Sequence, residues 1–289
     1  MKYDIAALFA IVCVAAVAGT APRPGSGRAA ADDTPVLPSH RIVGFYGNPL
    51  SARMGILGAL PADSMVRRLE AQAQAWALAD TTTPVVPALH LVTVVAHPHA
   101  CPDGKYRTRA PDSLIERMSS LAQRKGWLLF LDVQPGRSTV AAEVAGLRKF
   151  LVRPWVHLAL DPEFAMAGDQ VPGRVIGSLD AADINGAVDT LAAIARDHGL
   201  APRILVVHRF TQRMVMNADR IRIDPQVQIV MDMDGFGRPA LKRDSYRQFI
   251  AAEPVQYTGF KLFYQQDVPL MSPADVLRLQ PRPVFILYQ

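Results

Sequence analysis

The sequence predicts a (β/α)8 barrel, and three observations carry that reading. From Arg41 onward, short β-branched or aromatic runs alternate with amphipathic stretches, the pattern of a parallel sheet whose strands return through helices. Eight such runs stand against seven amphipathic stretches, which suits a closed barrel. No glycine-rich phosphate loop follows the first run, which argues against an open, doubly wound sheet.

The strand candidates are residues 42–46, 88–95, 127–133, 156–160, 204–208, 228–233, 259–263 and 284–288. The helical candidates between them are 64–79, 113–125, 140–151, 181–197, 212–219, 242–251 and 273–279. Several open with Asp or Ser and are followed by Gly, as helix caps should be. The expectation is one barrel domain over 41–289 that lacks the final helix. The seam beside the first strand then needs a cover from the linker, a second copy or the cell envelope.

Ahead of the barrel, residues 1–21 carry Lys2, an apolar run and small residues at Ala16, Ala18 and Ala21, the layout of a cleaved signal peptide. The run is about fifteen residues, short of the roughly twenty that span a bilayer, so an N-terminal membrane segment is the second choice. Residues 22–40 are rich in Pro, Gly, Ala, Arg and Asp without apolar periodicity and are expected to be a flexible linker. The protein is therefore expected to be exported, to an extracellular, periplasmic or envelope-associated location. Cys13 lacks the small residue that should precede a lipidated cysteine. Signal removal leaves Cys101 without an intramolecular disulfide partner.

With 289 residues, half of them hydrophobic, the chain has ample material for a large core. The net charge is +5, and the basic residues are scattered rather than interleaved with aromatics, which speaks against a nucleic-acid partner. Modest attraction to an anionic envelope is expected, with membrane association through the N-terminal segment.

Polar residues gather at the C-terminal ends of the predicted strands, where barrel active sites lie because loops there vary without disturbing the packed interior. Tyr46 ends the first strand, Asp132 and Gln134 the third, Asp161 and Glu163 the fourth, His208 the fifth, Asp232 and Asp234 the sixth; Lys261 and Tyr264 belong to the seventh. Alternation along an extended strand should place Asp161 with Glu163, and Asp232 with Asp234, on shared faces.

Glycosidic cleavage needs one carboxyl to protonate the leaving oxygen and an ionised one to activate water or stabilise positive charge. Glu163 is the acid candidate, since Asp161 beside it should disfavour its ionisation. Asp161, Asp232 and Asp234 complete the catalytic set, and Tyr46, Asp132, Gln134, His208, Lys261 and Tyr264 are the substrate-binding candidates.

Each carboxylate has a plain structural role open to it, as a helix cap or an Arg partner, and His208 could be a hydrogen-bonded core histidine. Tyr46, Tyr106, Phe164, Phe236 and Tyr264 offer flat faces for sugar rings. Arg53, Lys105, Arg107, Arg109, Arg137 and Arg174 would favour an anionic ligand, although solvated surface charge is the commoner role for such residues.

No nucleophile elbow, P-loop or dinucleotide fingerprint occurs. His97-Pro98-His99 with His208 and Asp232 could instead serve a metal-dependent hydrolase.

Asp161-Pro162-Glu163 and Met231-Asp232-Met233-Asp234, with Gly44-Phe45-Tyr46 and Phe263-Tyr264, resemble strand-end motifs of glycoside hydrolase family 18, the chitinase family. The resemblance implies a barrel hydrolase acting on polysaccharide. Val156 and Ala159 stand where that family has aspartates, and Met233 stands in place of its tyrosine, which argues against a substrate-assisted mechanism. Phe45-Tyr46-Gly47-Asn48-Pro49, the stretch Leu131 to Arg137 and Leu160-Asp161-Pro162-Glu163 also resemble uncharacterised exported barrel proteins of bacteria.

The leading reading is an extracytoplasmic glycan-cleaving hydrolase that uses paired carboxylates, needs no metal or cofactor, and acts on an envelope polysaccharide. A non-catalytic glycan- or envelope-binding barrel is the alternative, and a metal-dependent hydrolase the third.

Overall fold

The computed structural model describes residues 34–289. The segment expected over 1–21 and the first part of the expected linker, 22–33, lie outside the described residues. Eight strands form the barrel: β1 (Arg41–Gly47), β2 (Val85–Ala96), β3 (Leu128–Val133), β4 (Val156–Leu160), β5 (Arg203–Arg209), β6 (Val227–Met233), β7 (Tyr257–Leu262) and β8 (Phe285–Tyr288). Each pairs in parallel with the next, and β8 pairs in parallel with β1 to close the ring. The predicted (β/α)8 barrel is the fold found.

Closure explains why the strands read as nearly unbroken apolar runs, since one face of each fills the barrel and the other meets a helix. Ile42, Ala88, Phe130, Val206, Val230 and Phe285 pack together inside. The alternate residues, such as Val43, Leu89, Leu131, Leu158, Val207 and Ile286, join the larger core beneath the helices.

Those helices are α1 (Ala62–Ala79), α2 (Asp112–Lys125), α3 (Val140–Leu151), α4 (Ala181–His198), α5 (Pro239–Tyr246) and α6 (Pro273–Leu277). Thr139 caps α3 by accepting from the Ala142 amide, and Asp180 and Asp183 form a reciprocal capping box on α4. Gly126 and Gly199 end α2 and α4 in the left-handed region.

The helix expected over 212–219 is not formed. Two single 3-10 turns, Gln212–Met214 and Ala218–Arg220, flank a two-residue strand, Val215–Met216, that pairs with Leu179–Asp180. Asn217 adopts φ 54°, which breaks helical continuity.

The seam is covered from within the barrel domain. Helix α1 buries Met65, Leu69, Ala73 and Trp76, and Trp76 Nε1 and Gln72 Nε2 each donate to the Tyr288 hydroxyl of β8 at 3.0 Å. At the opposite, N-terminal end of the strands, Leu37 is buried and its backbone is clamped by the Gln228 amide. Leu37 N donates to Gln228 Oε1 at 3.1 Å, and Gln228 Nε2 donates back to Leu37 O at 2.5 Å. Residues 34–40 thus run onto the barrel floor. No helix among the described residues is long and apolar enough to cross a membrane.

Candidate active site

Strand phase decides which polar side chains reach the barrel mouth. Tyr46, Asp161, Asp234 and Lys261 all point inward near the C-terminal strand ends and, with Gln134, Glu163 and Arg53, line a cavity of about 650 Å³. Phe164, Phe210, Phe236 and Phe263 supply its apolar wall. Glu163 is carried by the 3-10 turn Pro162–Phe164 directly after β4 and is half-buried. The strand does not stay extended through it, yet Asp161 and Glu163 still line the same cavity.

The floor is a polar network in which Asp161 Oδ1 has no hydrogen-bond partner. Lys261 Nζ lies 2.9 Å from Asp234 Oδ1 and 3.6 Å from the centre of the Tyr46 ring, an ion pair backed by a cation–π contact. Gln134 Nε2 donates to Asp161 Oδ2 at 3.2 Å and to the Tyr46 hydroxyl at 3.3 Å. Below them, wholly buried, lie His90, Asp132, His208 and Asp232.

His208 and Asp232 are register partners on β5 and β6, and Nδ1 of His208 lies 3.1 Å from Asp232 Oδ2. Gly259 on β7 opposes Asp232, and a Cβ there would approach Asp232 Oδ1 to 2.5 Å, so glycine makes room for the carboxylate. Asp132 Oδ2 sits 3.3 Å from Nε2 of His90 and 3.5 Å from Nε2 of His208, and those two nitrogens are 3.3 Å apart.

The charges follow from burial and these neighbours. Burial pushes the Glu163 carboxyl above its usual range, and the charge of Asp234 adds to that. Burial also raises Asp161 well above the usual range, with Asp132, Asp234 and Glu163 reinforcing it against the opposing charge of His208. Burial works against ionising Asp132, but His208 and His90 overcome it and hold that carboxylate well below its usual range. On His208 burial is again outweighed, here by Asp132, Asp232 and Asp234, so its imidazolium persists well above the usual histidine range. Burial lowers His90, with Asp132 partly offsetting it.

Several predicted site residues take other roles. Tyr264 faces out of the barrel, stacking on Tyr288 at 5.2 Å and donating to Gln72 Oε1 at 3.0 Å. Lys261 and Phe263 line the cavity, so Tyr264, one position on, points away by the alternation of the strand. Asp132, His208 and Asp232 lie beneath the cavity lining rather than in it.

Among the six basic residues expected to favour an anionic ligand, Arg53 alone lines the cavity. Arg107 and Arg109 bind the buried Glu143, and Arg137 stacks on Tyr106 at 4.2 Å. His97 bonds Thr108 Oγ1 at 3.0 Å on its loop and His99 is exposed, so the pair does not join His208. His90 lies within the strand expected over 88–95 and is not among the site candidates. Its two-residue spacing from the inward Ala88 and Val92 is the signal that marks it as an interior polar residue.

No family model matches the chain, glycoside hydrolase family 18 included, and no curated protein matches it. Among solved structures, a trimodular endoglucanase of subfamily GH5_4 is similar at a TM-score of 0.46 and 13% identity, over 87% of this chain and 55% of that one. The chain thus spans about half the length of that solved structure. The barrel assignment stands on the strand pairing itself.

Proposed function

We propose that the protein is a glycan-cleaving hydrolase working at the mouth of the barrel. The observation that carries this reading is a carboxyl pair in one cavity with opposed environments. Glu163 is held toward its protonated form by burial, while Asp234 is paired with Lys261. A carboxyl whose ionisation burial disfavours, set in one cavity with a second that faces a lysine, suits acid and base roles.

Glu163 donates its proton to the glycosidic oxygen as the bond to the anomeric carbon breaks, and the leaving sugar departs as an alcohol. The Asp234 carboxylate faces the developing positive charge and either takes the proton of an attacking water or attacks the anomeric carbon itself. Phe164, Phe236 and Phe263 offer apolar faces to sugar rings. An envelope polysaccharide as substrate, and export directed by residues 1–21, belong to the same proposal and rest on the sequence.

The test is release of reducing sugar from a panel of bacterial envelope polysaccharides by the parent and by Glu163→Gln. Loss of a general acid lowers the rate about 10²- to 10⁴-fold. Equal activity in both removes Glu163 from the role.

A second reading, a binding barrel without turnover, is favoured by the commitment of Asp234 to both Lys261 and His208. Silence of both proteins with retained binding to one polymer would select it.

A further inference from the structure

Beneath the cavity floor, three ligand-type atoms from three different strands converge. They are Nε2 of His90 on β2, Oδ2 of Asp132 on β3 and Nε2 of His208 on β5, and their separations are 3.3, 3.3 and 3.5 Å. All three side chains are wholly buried.

Two zinc–ligand bonds of about 2.05 Å meeting at the tetrahedral angle place their ends about 3.3 Å apart. An octahedral ion with bonds of about 2.1 Å would bring adjacent ligands to about 3.0 Å. The observed triangle matches a tetrahedral face better than an octahedral one.

Hydrogen bonding leaves this cluster unfinished. Neither oxygen of Asp132 receives a well-directed hydrogen bond, and His90 Nδ1 and Asp232 Oδ1 have no partner. Buried polar atoms left in this way are costly. Four of the nine such side-chain atoms among the described residues belong to this cluster.

The second coordination layer is also present, because His208 Nδ1 lies 3.1 Å from Asp232 Oδ2. That contact fixes which nitrogen of His208 is left free to ligate.

We propose that His90, Asp132 and His208 bind one zinc ion inside the barrel, beneath the candidate active site. The site is distinct from the histidine pair His97 and His99 on the loop. It is also independent of the hydrolase reading, since it would stand if Glu163 proved inert.

The experiment is metal analysis of the purified full-length protein, followed by chelation with dipicolinate and return of Zn(II) or Mg(II). About one zinc per chain is expected in the protein as isolated. Chelation should lower the melting temperature, and Zn(II) but not Mg(II) should restore it, because an ion bound to the folded state alone stabilises it.

His90→Gln and Asp132→Asn should each lower zinc affinity at least about tenfold while the protein stays folded by circular dichroism. If they fail to fold, the chelation and add-back series on the parent decides alone. The proposal is overturned by a parent protein that takes up no zinc and whose melting temperature ignores Zn(II). It is equally overturned by zinc that both folded variants retain unchanged.

Discussion

Replacing Lys261 with methionine tests whether the charge network organises the barrel mouth. The side chain is nearly wholly buried, and its nitrogen lies 2.9 Å from Asp234 Oδ1. Removing one member of a buried pair costs about 3 to 5 kcal/mol, because the other charge stays behind uncompensated. Two features pull the value toward the lower end. Asp234 keeps His208 Nδ1 at 3.4 Å from its other oxygen, and it lies on the cavity wall. Loss of the cation over Tyr46 adds about 1 kcal/mol.

A destabilisation of about 4 kcal/mol follows, or about 8 to 16 °C in melting temperature for a domain of this size. Equilibrium urea unfolding of the parent, Lys261→Met, Asp234→Asn and the double variant measures it. The double variant should recover more than half the loss of the single, since it leaves no lone charge. A loss below about 1 kcal/mol for Lys261→Met, or strict additivity in the double, would refute the reasoning.

Three further outcomes are expected. Tyr288→Phe strips the acceptor from the buried Trp76 indole and from Gln72, which should cost about 1 to 3 kcal/mol and alter Trp76 fluorescence; an unchanged urea midpoint would mean the seam does not depend on that hydroxyl. If Glu163 is the acid, its raised proton affinity keeps it protonated above the usual glutamate range. Activity should then persist past that range and fall as pH rises through the raised value, and an alkaline limb at the ordinary glutamate position would contradict this. Asp80 is held well below the usual carboxylate range by hydrogen bonds from Thr82 and Arg41 against the opposing effect of burial. A depressed folded-state value gives stability that is present above the unfolded value of about 3.9 and lost as pH falls; acid unfolding of Asp80→Asn should therefore show a shallower dependence below pH ~4 than the parent.

Much of the barrel was legible in the chain because local physics writes it there. Eight β-branched runs, such as 204–208 and 228–233, stand out from helices marked by Thr139, Asp180, Gly126 and Gly199 at their ends. The same strand-end logic found Asp161, Glu163, Asp234 and Lys261, all of which line one cavity. It failed over 212–219, where the pairing of Val215 with Leu179 and the left-handed Asn217 replaced a helix. Tyr264, a substrate-binding candidate by its place at the strand end, faces outward toward Tyr288 and Gln72, as alternation from Lys261 directs.

The sequence by itself determined the strand and helix succession and the residue types at the barrel mouth, since both depend on neighbours a few positions apart. Tertiary structure decided depth and company. It set Asp234 at the cavity and Asp232 below it, and it brought His90 to within 3.3 Å of His208 across 118 positions of chain. Barrel closure and strand stagger decide which inward residues share a layer. Desolvation and charge then act through space between residues whose spacing in the chain carries no trace of their meeting.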